Sequence, residues 1–299
     1  MAGLNVSMAF FISIICLCEV TRRFSKRIFP PKVYFYFASE LVSSFQMCTC
    51  FLELKMLRDI GPWGGGFGPD VSLTLLFLLF SVHGATSDGS SANPMISLQE
   101  FLALDFSLKA TVAKLLAQFV GMEVAFAFTK KYWSRELTDF HIIQNLMAQD
   151  CSSSISTSVS HGIFVEALCS FFFQLVVLRF QMSALMYRIP IVAITVTALA
   201  YAAAPFTGAF FNPALAYVVT FTCSGNSSLE YFQVYWLAPI TGMLIALFLY
   251  QGNIPRLFQT NLLYSQKNKY RIPKGKAQSG AQNQAERGRS REEQLLNSN

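Results

Sequence analysis

Two asparagine–proline pairs are the residues whose type and spacing best suit them to bind a ligand. They are Asn93-Pro94 and Asn212-Pro213, and a glycine stands four residues before each asparagine, at Gly89 and Gly208. Asparagine is a favoured helix cap and proline a favoured first helical residue, so each pair predicts the start of a helix. A helix start presents unpaired N–H donors and roughly half a positive charge. Two such starts, each with an asparagine amide, could donate hydrogen bonds to neutral oxygen-bearing molecules and repel cations.

The composition places these helix starts in a membrane. Of the 299 residues, 53% are hydrophobic and only 13% are charged, whereas soluble proteins carry about 25% charged residues. The apolar residues form long runs without the polar face of surface helices or the alternation of barrel strands. The sequence therefore predicts an all-α integral membrane protein.

Seven apolar runs predict helices, and they are 4–18, 34–57, 71–86, 110–128, 163–180, 190–204 and 231–250. The first is predicted to be retained with its N-terminus outside the cytosol, because basic residues follow it rather than precede it. It is shorter than the roughly 20 residues that a crossing requires, so an interfacial helix is the alternative. The stretch 61–66 predicts a loop, and 137–148 predicts a surface helix. From residue 277 onward we expect disorder.

The later runs divide into two halves with the same order of features. The segment Glu40-Leu41-Val42-Ser43-Ser44-Phe45 resembles Glu166-Ala167-Leu168-Cys169-Ser170-Phe171, and a further run, an Asn-Pro pair and a third run follow in each half. Three crossings per half make the second half insert upside down, which is an inverted repeat. We expect six transmembrane helices, two re-entrant half-helices and an extra N-terminal apolar helix. The predicted divisions are an N-terminal segment with a basic linker (1–32), a membrane domain (33–252, with repeats 33–130 and 161–252) and a largely disordered tail (253–299).

The net charge of +6 sits mostly in two basic clusters, Arg22 to Lys32 and Arg256 to Lys276. Both clusters flank apolar runs and no binding fold accompanies them, which argues against a nucleic-acid partner. Basic clusters mark the cytosolic side of a membrane protein, so the linker and the tail are predicted there and the N-terminus in the lumen. The basic residues Lys130, Lys131 and Arg135 fall on the lumenal side and oppose this assignment.

The seven cysteines argue against a disulfide framework, because their number is odd and most lie in apolar runs. Cys48-Thr49-Cys50 lacks metal-ligand spacing and a histidine partner. We therefore predict no metal, no cofactor and no enzymatic site.

The chain resembles the aquaporin (major intrinsic protein) family from Tyr34 to Tyr250. The doubled Asn-Pro-Ala signature of the family matches fully at Asn212-Pro213-Ala214 and partly at Asn93-Pro94-Met95. The altered first signature, the added N-terminal segment and Cys223, nine residues past Ala214, are similar to the unorthodox superaquaporin branch. The resemblance implies an aquaporin-like channel domain at 33–252, a homotetramer with one pore per subunit, and residence in intracellular membranes.

The resemblance also implies roles for single residues. Glu40 and Glu166 would each cost about 2.5–3.5 kcal/mol in lipid and would hold the pore loops, with a proton relay as the alternative. Orthodox members have an arginine after the second signature, where this chain has Leu215. The other residues of that selectivity filter fall at Leu73, Ala200 and Ala209, so the predicted ring is wide and apolar.

Two further residues are left with open alternatives. His83 lines the pore or packs between helices, and Asn226 is a possible glycosylation site in Asn226-Ser227-Ser228.

The predicted function is a passive channel for water and small neutral solutes such as glycerol. Two alternatives remain: a scaffolding membrane protein that kept the fold without conduction, and a secondary transporter with broken helices. The transporter is disfavoured because no intramembrane charge beyond Glu40, Glu123 and Glu166 suggests ion coupling.

Overall fold

The computed structural model describes residues 2–28, 33–64, 67–147, 151–252 and 254–258. The predicted linker beyond Ile28 and the predicted tail beyond Phe258 lie outside these ranges, as do residues 65 and 66 of the predicted loop. The chain divides into two units, Met1–Ile254 and Pro255–Asn299, and α12 (Pro255–Phe258) belongs to the second.

The first unit is helical through almost all of its described residues. Its elements are α1 (Ala2–Ile28), α2 (Val33–Gly64), α3 (Pro69–Thr86), α4 (Pro94–Leu102), α5 (Leu108–Trp133), α6 (Asp139–Met147), α7 (Val159–Phe180), α8 (Leu185–Thr207), α9 (Pro213–Thr220), α10 (Ser228–Phe232), a π-helical turn (Gln233–Leu237) and α11 (Ala238–Gln251).

Six helices in the described ranges are long and apolar enough to cross a membrane, which confirms the predicted all-α membrane class. These spans are Gly3–Ile28, Pro69–Thr86, Leu108–Trp133, Val159–Phe180, Leu185–Thr207 and Ser228–Gln251. The 32-residue helix α2 is not among them. It occupies the interior of the bundle and carries a row of buried polar side chains, which are Ser39, Glu40, Ser43, Ser44, Gln46, Thr49 and Glu53.

The N-terminal helix is longer than its apolar run, so the prediction of a segment too short to cross is wrong. It has 27 residues and spans about 40 Å at the usual helical rise. The charges after Cys18 do not end it, because Glu19 lies 3.4 Å from Arg22 and 2.8 Å from Arg23. Arg22 is buried against α2, where it donates to Gln46 Oε1 at 2.8 Å.

Helix α2 also continues further than predicted, through Gly61 and Pro62 to Gly64. Proline removes one backbone donor from a helix, and α2 tolerates that loss near its C-terminal end. The predicted loop at 61–66 is therefore mostly helical in its described part.

The two repeats pack in the same way. Helix α2 packs mainly against α5, and α7 against α11, while α3 and α8 contact each other across the repeats. A glycine permits each close approach, since a Cβ on Gly121 would meet the carbonyl oxygen of Leu41, and a Cβ on Gly242 would meet that of Ala167. Leu41 and Ala167 directly follow the two predicted loop-bracing glutamates, so the sequence repeat is also a repeat of packing.

A disulfide joins Cys151 to Cys223, so the prediction against disulfides is wrong for this pair. The bond ties the segment before α7 to the residues after α9. The Ser153 N–H donates to the Ser224 carbonyl at 2.8 Å, and the Ser224 N–H donates to the Cys151 carbonyl at 3.1 Å. The two cysteines are 72 residues apart in sequence, and no local spacing indicates such a contact.

Candidate pore

Each asparagine–proline pair begins a short helix. Asn93 and Asn212 are the N-caps of α4 and α9, and a proline opens each helix. Asn93 Oδ1 accepts the N–H of Met95 at 2.9 Å, and Asn212 Oδ1 accepts those of Ala214 and Leu215 at 3.1 and 3.2 Å. The side-chain oxygens therefore satisfy donors that a bare helix start would leave unpaired.

The amide nitrogens of the two asparagines join the repeats to each other. Asn93 Nδ2 donates to the carbonyl oxygen of Phe211 at 3.0 Å, and Asn212 Nδ2 donates to that of Ala92 at 2.7 Å. Each accepting residue directly precedes the other asparagine, so the starts of α4 and α9 meet at this reciprocal pair. Each asparagine amide nitrogen carries two N–H groups. One N–H group of each asparagine makes this hydrogen bond between the repeats.

The two glutamates bind the most constrained residues of the loops. Ala92 and Phe211 have left-handed backbone, with φ of 50° and 47°, a conformation that costs energy outside glycine. Buried Glu40 accepts the Ala92 N–H at 3.0 Å, and buried Glu166 accepts the Phe211 N–H at 3.2 Å. The second oxygen of Glu166 accepts the Thr207 hydroxyl at 2.7 Å. Each constrained residue is thus held at its N–H by its own repeat and at its carbonyl by the other.

A buried lysine extends the support of the first loop. Lys114 Nζ lies 2.6 Å from Glu100 and 3.5 Å from Glu40. Gln118, one helical turn further along α5, donates to Glu40 at 3.0 Å and to Ser97 at 2.9 Å. No local pattern in the sequence indicates this network, because its members come from α2, α4 and α5.

A cavity of about 150 Å³, called the first cavity, reaches both asparagines. Its polar lining includes His83, Glu100 and Arg188, beside the apolar side chains of α7 and α8. His83 is 6% exposed, and within the described part of the chain neither ring nitrogen has a hydrogen-bond partner. His83 therefore both packs between helices and lines the cavity. A site needs about 10–15 Å³ of such space to hold one water molecule, so the first cavity has room for several.

A second cavity of about 80 Å³ brings together the four residues assigned to the filter, which are Leu73, Ala200, Ala209 and Leu215. Lys55 and Arg58 of α2 line it as well, and both form ion pairs with Asp59. Neither basic residue was predicted to line the pore, although Lys55 lies within the predicted apolar run 34–57 and Arg58 directly follows it. The ring of four is apolar, and these two residues place positive charge on the same, mostly apolar cavity.

The buried charges are not confined to the glutamates named from the sequence. Besides Lys114, the charged residues Arg22 and Glu53 are buried. Glu53 accepts hydrogen bonds from the Ser7 hydroxyl at 2.6 Å and from Trp133 Nε1 at 2.7 Å. Neither of the two cavities is lined by Arg22, Glu53 or Lys114.

The remaining predicted site residues lie away from both cavities. Met95 and Ala214 are 1% and 0% exposed and pack inside the protein, next to the buried Pro94 and Pro213. Cys223 is in the disulfide. Asn226 precedes the capping box of α10 and donates to Glu230 at 3.4 Å, and its glycosylation stays a prediction.

Residues 69–250 match the family described as Major intrinsic protein. This range covers more than half of the chain and includes both half-helices. The chain belongs to the major intrinsic protein family.

Aquaporin relatives narrow the placement within this family. The chain is 53% identical to aquaporin-12 of Mus musculus over 281 residues, which cover 94% of this chain and 97% of the relative. It is 31% identical to aquaporin-11 of Homo sapiens over 257 residues, which cover 86% and 93% of the two chains. These relatives confirm the resemblance to the superaquaporin branch, and within it to aquaporin-12.

A solved structure confirms the aquaporin fold. The aquaglyceroporin from Plasmodium falciparum superposes with a TM-score of 0.59 at 17% sequence identity, covering 76% of this chain and 99% of that chain. At this identity the likeness concerns the fold alone. Together with the family match, it makes this aquaporin a multi-pass membrane channel.

Proposed function

We propose that this aquaporin passively conducts water and small neutral solutes such as glycerol. The route runs from the first cavity past Asn93 and Asn212 into the second cavity. The observation that carries the proposal concerns the loops whose asparagines cap α4 and α9 and bind across the repeats. The first cavity adjoins both of these loops, and the second cavity adjoins the loop before Asn212. The N-termini of both half-helices carry roughly half a positive charge each, which opposes cations but not neutral solutes.

Leu73, Ala200, Ala209 and Leu215 form the selectivity filter in this proposal. All four are apolar and two are as small as alanine, so the ring is wide and poor in hydrogen-bond donors. Lys55 and Arg58 line the same cavity and share one carboxylate, that of Asp59. Their excess positive charge adds to the barrier against cations.

The pore motif comprises Asn93, Pro94, Met95, Asn212, Pro213 and Ala214, and the loop-bracing residues are Glu40 and Glu166. The departure of the first motif from the family signature lies at Met95, which is buried and lines neither cavity. Its side chain therefore does not stand in the route, which favours a channel over a scaffold that has lost conduction. A secondary transporter is disfavoured because the buried charges Arg22, Glu53 and Lys114 have partners inside the protein.

We assign the end of α1 that carries Arg22, Arg23 and Lys26 to the cytosol, together with the tail from 253 to 299, and the N-terminus to the lumen. Lys26 lies 2.7 Å from Asp88, which belongs to the loop before Asn93, so this end of α1 adjoins that loop. In this assignment α5 crosses to the lumenal side, so Cys151, which follows it in the chain, lies in the lumen. An oxidising lumen would form the Cys151–Cys223 disulfide. We further propose a homotetramer with one pore per subunit, without a cofactor, in intracellular membranes.

Substitution of Leu215 tests this function. The full chain and the variants L215R and L215M are purified into liposomes, and water and glycerol fluxes are measured side by side by stopped-flow light scattering. L215M conserves volume and polarity and is the matched control. We expect both fluxes in the wild type, and about a tenfold loss of glycerol flux in L215R, which corresponds to about 1.4 kcal/mol of added barrier.

Three outcomes would contradict parts of the proposal. No flux from an assembled wild type would leave a scaffold, and a saturable flux that requires an ion gradient would indicate a transporter. Glycerol flux that is absent in the wild type or unchanged in L215R would remove Leu215 from the filter.

A further inference from the structure

Three residues line both cavities, and all three are apolar. They are Phe80 of α3, Val196 of α8 and Phe210 of the loop that precedes Asn212. The two cavities therefore adjoin each other where no lining side chain can replace the hydrogen bonds of a passing water molecule. A water molecule that crosses this point loses hydrogen-bond partners, and the lining side chains do not replace them.

Phe210 differs from the other two because the loop, not a helix, sets its position. It is 6% exposed, and its ring centroid lies 6.0 Å from that of Phe51 and 5.4 Å from that of Tyr235. The ring edge also covers Gly208, where a Cβ would come within 3.0 Å of it. Gly208 has φ of 78°, and its lack of a side chain lets the ring fold back over the loop.

The first repeat shows that the loop geometry does not require this ring. The residue two positions before the asparagine is Ser91 there, against Phe210 in the second repeat. Both loops nevertheless make the same hydrogen bonds at the next residue, which is Ala92 or Phe211. Its N–H donates to a glutamate, and its carbonyl oxygen accepts from the asparagine of the other repeat. Ser91 lines the first cavity and accepts from Gln118 at 3.2 Å, so its repeat presents a hydroxyl where the other presents a phenyl ring.

We propose that Phe210 is the gate of the channel. Its ring, with Phe80 and Val196, closes the passage between the two cavities and limits both the rate and the size of what permeates. This inference rests on the proposed channel function, but the gate is separate from the filter, because Phe210 is not one of the four filter residues. The gate lies between the filter and the asparagine pair.

Shortening the Phe210 side chain tests the gate. Purified full-length wild type, F210A, F210L and F210S are compared in liposomes for water and glycerol flux, with size-exclusion chromatography to confirm equal assembly. F210S installs the residue of the first repeat, and F210L preserves more of the packing should F210A fail to assemble. F206A is the matched control, since Phe206 lies four residues earlier in the last turn of α8, is 38% exposed and lines neither cavity.

We expect water flux to rise about tenfold or more in F210A and F210S, which is a lowering of the barrier by about 1.4 kcal/mol. F210L should fall between these variants and the wild type, and F206A should match the wild type. Wild-type conduction with no increase in any Phe210 variant overturns the gate and leaves the channel standing. A lack of flux in the assembled wild type and in every Phe210 variant overturns both. Flux in the variants but not in the wild type supports the gate and overturns the proposal that the wild type conducts.

Discussion

Replacing Asn212 with alanine removes two kinds of interaction at once. The variant loses the side-chain oxygen that caps α9 through two N–H groups, a loss of about 1 kcal/mol. It also loses the hydrogen bond that the Asn212 amide nitrogen donates to the carbonyl oxygen of Ala92, a residue that is fully buried. An unpaired buried acceptor costs about 1–3 kcal/mol, so the free energy of unfolding should fall by about 2–4 kcal/mol.

The measurement is thermal unfolding in detergent, followed by flux in liposomes. A loss of this size lowers the Tm by about 5–15 °C for a chain of this length. N145A is the matched control, because Asn145 also donates its amide to a backbone carbonyl, that of Trp133 at 3.0 Å, but lies inside α6 and is not the N-cap of a helix. We expect N145A to lose only about 1 kcal/mol.

N212D separates the two contributions, because an aspartate keeps the capping oxygen and replaces the donor. It should lose the bond between the repeats while it keeps the cap, and water flux should fall with it. A normally assembled N212A protein with the wild-type Tm and the wild-type flux would refute the reasoning.

Two further predictions follow from the buried motif residue and the disulfide. Met95 is 1% exposed and lines neither cavity. M95A should therefore lose about 2–5 kcal/mol of stability, measured as a lower Tm, while the flux per assembled channel stays unchanged. Altered flux at an unchanged Tm would contradict this prediction. C151S, C223S and the double variant should each lose a similar amount, about 2–5 kcal/mol, because the first substitution already removes the bond. Thermal unfolding with and without reductant measures this loss, and additive losses in the double variant would contradict it.

The local signals in the sequence predicted the helices and the two half-helix starts. Asn93 and Asn212 each combine a capping side chain with a following proline, and these signals act within one helical turn. The left-handed turns at Gly89 and Gly208, with φ of 84° and 78°, depend in the same way on a single residue type. The repeat was visible because the same order of signals occurs twice.

Contacts between distant elements were not predictable from such signals. Arg22 extends α1 past its apolar run because Gln46 of another helix binds it. Cys151 pairs with a cysteine 72 residues away. Phe210 was overlooked because the signature of the family directs attention to its neighbours, and only the two cavities show that this residue lines both of them.

The reciprocal asparagine bonds have a consequence for biosynthesis. The carbonyl of Ala92 and the amide of Asn93 bind partners in the second half of the chain, 120 and 118 residues away, respectively. At about 5–20 residues per second, a ribosome needs about 6–24 s to supply those partners. During this interval the first half-helix lacks the polar groups that complete it, so its loop cannot settle at membrane depth until the second repeat has been translated. Truncation after α5 should therefore leave the first repeat inserted but without a stable half-helix.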